Sequence, residues 1–295
     1  MDRVHYEEIT CKSALNRVKG MPFKWSLNPY KGCVHGCHYC FARRFHSYLD
    51  LNPGSDWTSV IFAKVNVAWV LKRELRRRSW RREEVAIGTA TDPYQPIEGK
   101  HQLTRQCLIA FADAHNPISL VTKGTMIVRD ADVLAELAEL AGCTVVFSIT
   151  TLNENLWRKI EPGTPPPEKR LIAMKQLVDA RVRAGVMIAP VIPGLTDNRA
   201  NLEAVVRAAA DRGARFLGTQ PLYLKPGTKE HFLEFLETEY PQLIAEYQRL
   251  YPGAYAPKEF QWEIRDRVTE IKRETGLRDR RPGPTKVPRQ LALTL

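Results

Sequence analysis

Residues 28–46 read NPYKGCVHGCHYCFARRFH, and three cysteines in that run organise the reading of the whole chain. Cys33, Cys37 and Cys40 stand in C-x3-C-x2-C spacing, close enough for their thiolates to face one small volume around a metal. Three protein ligands leave a tetrahedral ion, or one corner of an iron–sulfur cube, open. An open position is where a substrate or cofactor binds, so the arrangement reads as catalytic rather than as a closed structural site. Gly32 and Gly36 let the loop bend tightly around its contents. Two metals remain open at this point: zinc, with His35, His38 or His46 as a further ligand, and a four-iron cluster with one free iron.

Outward from this loop the chain alternates between apolar runs and helical patterns. Strands are expected near 25–30, 85–91, 118–123, 144–150, 186–191 and 215–221, with helices over 103–115, 130–142, 168–185 and 198–213 between them. Residues 60–77 read as a lead into an Arg-rich helix. Strand–helix repeats of this period are parallel βαβ units. Six strands fall short of a closed eight-stranded barrel. The expected fold class is therefore α/β: a partial (β/α)6 TIM-like barrel with parallel strands, plus C-terminal helices and a flexible tail. The domain organisation expected is an N-terminal extension (1–24), the barrel (25–227), a C-terminal helical extension (228–276) and a basic tail (277–295). Functional loops belong at the carboxyl ends of such strands. There the sequence offers Thr91 and Asp92, Lys123, Ser148, and Gln220.

The 295 residues are 44% hydrophobic and 26% charged, which suits one substantial core and argues against disorder. No apolar run is long enough to span a membrane, and the N-terminus shows no signal sequence, so a cytoplasmic protein with no membrane partner is expected. Of the six cysteines, Cys11, Cys107 and Cys143 are scattered and read as buried free thiols. The net charge of +11 favours a polyanionic partner. KRELRRRSWRR (72–82) carries seven Lys or Arg and one aromatic, a pattern for phosphate contacts and base stacking or for a solvated helix face.

NPYKGCVHGCHYCFAR, followed by GTATDPYQPIE (88–98), LVTKG (120–124), IEPGTPPPEKRL (160–171) and APVIPGLTD (189–197), resembles the radical S-adenosylmethionine (SAM) superfamily, in its spore photoproduct lyase-like, DNA repair photolyase-related branch. The aromatics flanking Cys40, Tyr39 and Phe41, belong to that signature. The resemblance covers residues 1–225 approximately. It implies a [4Fe-4S] cluster on Cys33, Cys37 and Cys40, SAM on the fourth iron, and a 5′-deoxyadenosyl radical that abstracts hydrogen. It also implies that Tyr39 and Ala189 meet the adenine, that Asp92 with Thr91 faces the cationic side of SAM, that Lys123 takes its carboxylate and Ser148 its ribose. Tyr94, Gln95 and Glu98, beyond Pro93, are the expected catalytic residues facing a substrate. His35, Arg158, Glu161 and Arg170 are further candidates, although Glu161 and Arg170 are also placed to pair and pin the PGTPPP loop. DNA or RNA, and an electron donor such as flavodoxin or ferredoxin, are the implied partners. One departure stands out: the lyase carries a cysteine just before the Asp block, as hydrogen donor, where this chain has Gly88, Thr89, Ala90 and Thr91. The C-terminal Gln290, Leu291, Leu293 and Leu295 of QLALTL resemble a peptide that docks on the bacterial sliding clamp.

Overall fold

The computed structural model describes residues 4–279. Six parallel strands lie side by side in chain order: β1 (Trp25–Leu27), β2 (Val85–Ile87), β3 (Ile118–Thr122), β4 (Cys143–Ser148), β5 (Arg183–Val191) and β6 (Leu217–Pro221). The sheet stays open, and Asn16–Arg17 adds a short antiparallel edge beside β1. Helices α1 (Val67–Leu75), α2 (Leu103–Asp113), α3 (Ala131–Leu140), α4 (Pro167–Asp179) and α5 (Arg199–Asp211) return the chain between successive strands. This is the expected six-stranded partial barrel. Apolar runs such as Val85–Ile87 are buried throughout, because a parallel sheet covered by helices meets water on neither face.

Two expected boundaries change. β2 stops at Ile87 because Gly88 turns the chain at φ +83, where a Cβ would lie 2.4 Å from the Val121 carbonyl oxygen; Thr91 and Asp92 therefore sit in a loop. Gly185, expected to close a helix, lies inside β5 against Phe216. The helix ends six residues earlier at Asp179, and Arg181 takes the left-handed turn.

The N-terminal segment does pack on the barrel. His5–Ile9 pairs in parallel with Val60–Lys64, a strand hidden in the run expected to lead into helix, which also pairs with Tyr30–Lys31. Buried Glu74 on α1 accepts the amides of Ala14 and Leu15 and the Ser13 hydroxyl. Beyond β6, α6 (Thr228–Glu239) stops before Pro241, and Ile244–Leu250 continues separately, so the helical extension expected from residue 228 is broken here. The last helix, α7 (Lys258–Glu274), buries Ile264, Val268 and Ile271 on one face, and Arg199 of α5 pairs with its Glu270 and Glu274. Lys272 and Asp279 then bond the carbonyl and amide of Leu217, covering the open edge of β6. No described helix is long and apolar enough to cross a membrane. The clamp-like residues 290–295 lie outside the described residues.

Candidate active site

The cysteine loop crosses the carboxyl ends of the strands and is held from every side by backbone geometry. Gly32 (φ +77) lets it pass Val60, whose carbonyl oxygen would stand 2.6 Å from any Cβ there. The Cys33 amide donates to Trp57 O at 3.0 Å, the His38 amide to Ile160 O at 3.1 Å, and the Gly163 amide to His35 O at 3.0 Å. Arg43 is buried and donates to four carbonyls, those of Gly36, Cys37, Pro53 and Gly54, at 2.8–3.2 Å. A guanidinium with its fixed fork can tie a loop in this way, and nothing in the sequence pattern singled Arg43 out.

Behind the loop lies a cavity of about 330 Å³. Cys33, Cys37 and Cys40 line it together with Tyr39, Phe41, Thr91, Asp92, Lys123, Ser148 and Ala189, so the structure brings together every residue expected for metal and cofactor. His35 joins them, as do Met21, Phe23, Trp57, Met187, Gln220 and Tyr223. Of these, Gln220 is one of the expected strand-end residues; Met187 and Tyr223 sit on or just after β5 and β6, where the topology could have pointed to them, and Met21 and Phe23 carried no signal.

Burial pushes the Cys33 thiol well up, and Asp92, Cys37 and Cys40 add to it; burial takes Cys37 up to about 12 despite Lys123. Buried thiols that disfavour one another's ionisation are a donor set suited to a cationic centre, which supplies the missing positive charge. The zinc reading lacks a fourth ligand. His35 Nδ1 is 3.3 Å from Asp92, His38 Nδ1 is 3.1 Å from His231 Nε2, and His46 Nε2 is 3.2 Å from Val60 O. Among the described residues no three His, Cys, Asp or Glu side chains are grouped to hold a single ion. The donor set fits a cluster, in which the ligands stand further apart.

Asp92 and Lys123 do not pair as side chains. The Asp92 carboxylate accepts from the Thr122 hydroxyl, the Lys123 amide and the Tyr94 amide at 2.6–2.8 Å, besides His35. Burial alone would raise this carboxyl, but His35, Thr122 and the Lys123 amide outweigh it and hold it well below the usual carboxylate range. Four partners fill its lone-pair directions, so Asp92 clasps neighbouring loops and presents only its charge to the cavity. The Lys123 ammonium, by contrast, donates to no acceptor among the described residues and lies 5.5 Å from the Tyr39 ring centre. Burial works against its charge, but Cys37 and Glu161 more than compensate and raise it. A cationic donor facing a cavity is suited to a carboxylate. The Ser148 hydroxyl donates to Ala189 O at 2.8 Å and keeps its acceptor side.

The expected catalytic trio is not at the cavity. Tyr94 is buried with its hydroxyl on Asp130 at 2.9 Å. Gln95 bonds Gly32 O, Thr91 Oγ1 and the Val34 amide, bracing the cysteine loop from behind. Buried Glu98 accepts from Tyr30, the amides of Thr104 and Arg105, and Arg129. After Pro93 the chain turns into the core to begin its helix, so these side chains face inward. Arg158 pairs with Glu154 on the exposed side of its helix, away from the cavity. Glu161 and Arg170 form the expected pin. Arg170 reaches Glu161, Thr164, Pro165 O and Ser148 O, while Glu161 accepts from the Tyr39 hydroxyl.

The basic run 72–82 follows α1 to the amino ends of the strands, opposite the cavity. Its Trp80 is packed edge-on to Trp25 and donates to Asn116, so it is not a free stacking surface. Cys107 and Cys143 are buried and absent from the cavity lining.

Residues 27–205 match the model of the Radical SAM superfamily. The chain belongs to this superfamily. As a radical SAM enzyme it has relatives along nearly its whole length. An uncharacterized protein of Mycobacterium tuberculosis is 40% identical over 288 residues, covering 96% of this chain and 85% of the relative. One of Methanocaldococcus jannaschii is 26% identical over 254 residues, covering 86% of each. Among solved structures, spore photoproduct lyase complexed with dinucleoside spore photoproduct superposes with a TM-score of 0.69 over 92% of this chain and 79% of that one, at 15% identity. At that identity the likeness establishes a shared fold, while residue roles rest on the geometry above.

Proposed function

We propose that this radical SAM enzyme holds a [4Fe-4S] cluster on Cys33, Cys37 and Cys40, binds SAM beside it, and acts on a nucleic-acid base. One observation carries the proposal: two buried thiols, Cys33 and Cys37, and the half-buried Cys40 share a single cavity with the ammonium of Lys123, which has no acceptor among the described residues. When bound, the cluster supplies reductive cleavage of SAM, giving a carbon radical able to abstract hydrogen. The chain's own part is to bind, orient and exclude water. Lys123 takes the carboxylate of SAM, Ser148 offers an oxygen to the ribose, and Ala189 and Tyr39 flank the adenine. Phe41 and Trp57 help keep the cavity dry. A flavodoxin or ferredoxin supplies the electron.

A nucleic-acid substrate is supported by the net charge of +11 and by the lyase of shared fold, which was captured with a dinucleoside photoproduct. A second reading, a peptide or small metabolite as substrate, is favoured by one feature. No cysteine stands in residues 88–92, and among the described residues only the three loop cysteines line the cavity. Anaerobic reconstitution decides between them. The expected result is about four irons per chain, SAM cleavage under dithionite, and 5′-deoxyadenosine whose yield rises with added DNA or RNA. Deuterium passing into it from a labelled peptide or metabolite, and never from a nucleic acid, would establish the second reading. Iron retained after all three cysteines are changed to serine would refute both.

A further inference from the structure

The cavity opens beside a surface whose residues connect into a ring, beginning and ending at the cavity wall. Phe41 lines the cavity and is 41% exposed. Its ring meets Phe45 edge-on at 6.4 Å, and Phe45 meets Tyr48 at 6.2 Å. The Arg44 guanidinium lies 5.8 Å from the Phe45 ring centre and donates to the Tyr48 hydroxyl at 3.0 Å. The segment leading to α6 runs against this turn: a Cβ on Gly227 would stand 3.5 Å from Arg44 Cα. That segment carries Lys225, whose ammonium is 5.5 Å from the ring centre of Tyr223. Tyr223 lines the cavity again and packs at 4.5 Å on Tyr255. Tyr48 is 70% exposed and Tyr255 is 59% exposed, although large aromatic side chains are ordinarily more buried.

The ring alternates exposed aromatic faces with two cations, and the carboxylate beside it, Glu230, is engaged by the Gly227 amide. A purely electrostatic surface would need no aromatics, and a purely apolar docking face would avoid Arg and Lys. Planar faces interleaved with cations match a polyanion that carries planar groups of its own. Bases within a duplex keep their faces on one another, and a base can reach an enclosed cavity only after leaving the stack.

We infer that this rim is a binding platform for single-stranded or flipped-out nucleic acid, stacking the bases that flank the one delivered to the cavity. The inference rests on the nucleic-acid reading above and adds the strand state and the residues that grip it. Tyr48, Phe45 and Tyr255 supply the stacking surfaces. Arg44 and Lys225 meet the intervening phosphates. The basic run 72–82, at the opposite edge of the barrel, takes no part.

The test uses the anaerobically reconstituted full chain and fluorescence anisotropy. Its probes are a labelled oligothymidylate about twelve nucleotides long, within the site size of single-strand binders, the matching oligouridylate, and a duplex of equal length. The single strand is expected to bind more tightly than the duplex. Tyr48→Ala, Phe45→Ala and Tyr255→Ala are each expected to weaken it by about 5–100-fold. Arg44→Gln should reduce the slope of log affinity against log salt by about 0.7, one phosphate contact on a single strand. Arg77→Gln should leave affinity unchanged, and all variants should keep the SAM affinity and iron content of the parent. The DNA and RNA arms show which sugar is preferred. Equal affinity for duplex and single strand, parental affinity in the aromatic variants, or equal displacement by an acidic polyglutamate peptide would overturn the inference. Nucleic-acid binding that ignores the rim would overturn the rim alone. No binding to any nucleic acid by SAM-competent protein would overturn the substrate reading as well.

Discussion

Replacing Arg170 by Met tests how the cavity floor is held. Arg170 is buried on α4 and donates from Nε to Pro165 O at 2.8 Å, from Nη1 to Ser148 O at 3.0 Å, and from Nη2 to Glu161 and Thr164 at 2.5 Å each. Met matches the stem in length but returns none of these bonds, leaving the Glu161 carboxylate buried with its nearest cation gone. Breaking one half of a buried ion pair costs about 3–5 kcal/mol. Lys123, whose charge also acts on Glu161, offsets part of this, so the lower half of that range is expected. In apparent Tm, at about 2–4 °C per kcal/mol for chains somewhat smaller than this one, the loss is roughly 6–15 °C. Urea denaturation of apoprotein, with and without the second change Glu161→Gln, isolates the pair. The double variant should be more stable than the sum of the two single losses, because the stranded charge is gone. Glu161 also holds the Tyr39 hydroxyl inside the cysteine loop, so Arg170→Met should retain less iron after reconstitution. A loss under about 1 kcal/mol, or strictly additive single effects, would refute the view that this pin sets the loop.

Three further outcomes follow from the same geometry. Lys123→Met would remove the charge-assisted hydrogen bond proposed to the SAM carboxylate, so SAM should bind about 10–150-fold more weakly with iron content unchanged; unchanged affinity in anaerobic equilibrium dialysis would remove Lys123 from the site. Glu98→Gln turns an amide group toward donors from Tyr30, Thr104, Arg105 and Arg129, and should lower the melting temperature while leaving SAM affinity intact; lost turnover with parental stability would restore the catalytic role that its burial denies. Burial alone would raise the Glu161 carboxyl, but the Arg170 and Lys123 charges outweigh it and hold it below the ordinary range. Its stabilising contribution is therefore complete above about pH 4.3 and lost as pH falls below that through the folded value. The stability gap between parent and Glu161→Gln should shrink on acidification from about pH 5 to 3, and a constant gap in thermal melts would contradict the assignment.

The six strands were legible because each is a short apolar run bounded by turn or helix signals, and a parallel sheet buried on both faces makes such runs continuous. The lining of the cavity was legible for a related reason: parallel topology sends every strand end to the same edge, so Asp92, Lys123 and Ser148 had to meet the cysteine loop. What escaped was direction. Tyr94, Gln95 and Glu98 follow Asp92 closely, and nothing in their types tells an inward turn from an outward one. The strand Val60–Lys64 escaped because it enters α1 through only two residues, and its parallel partner, HYEEI, is mostly exposed and polar. Gly185 reads as a helix stop from sequence, yet it is glycine because Phe216 of the next strand leaves no room for a Cβ. Arg43 could not be found from pattern, since its four acceptors are backbone carbonyls and carry no residue signature.

The cysteine loop is also tied to the far end of the chain. Thr228 donates to the Cys40 carbonyl across 188 residues, and His231 meets His38 across 193. The loop emerges early from the ribosome, but its last fastenings arrive only when α6 has been made. At about 5–20 residues per second, that interval is roughly 10–40 s. Throughout it the nascent chain carries three clustered thiols in an unfinished cradle, open to oxidation and to stray metal. A cluster proposed for these thiols would meet a finished cradle only when translation has nearly ended, and an arrest before α6 yields a chain with all its cysteines but without the clamp that closes over them.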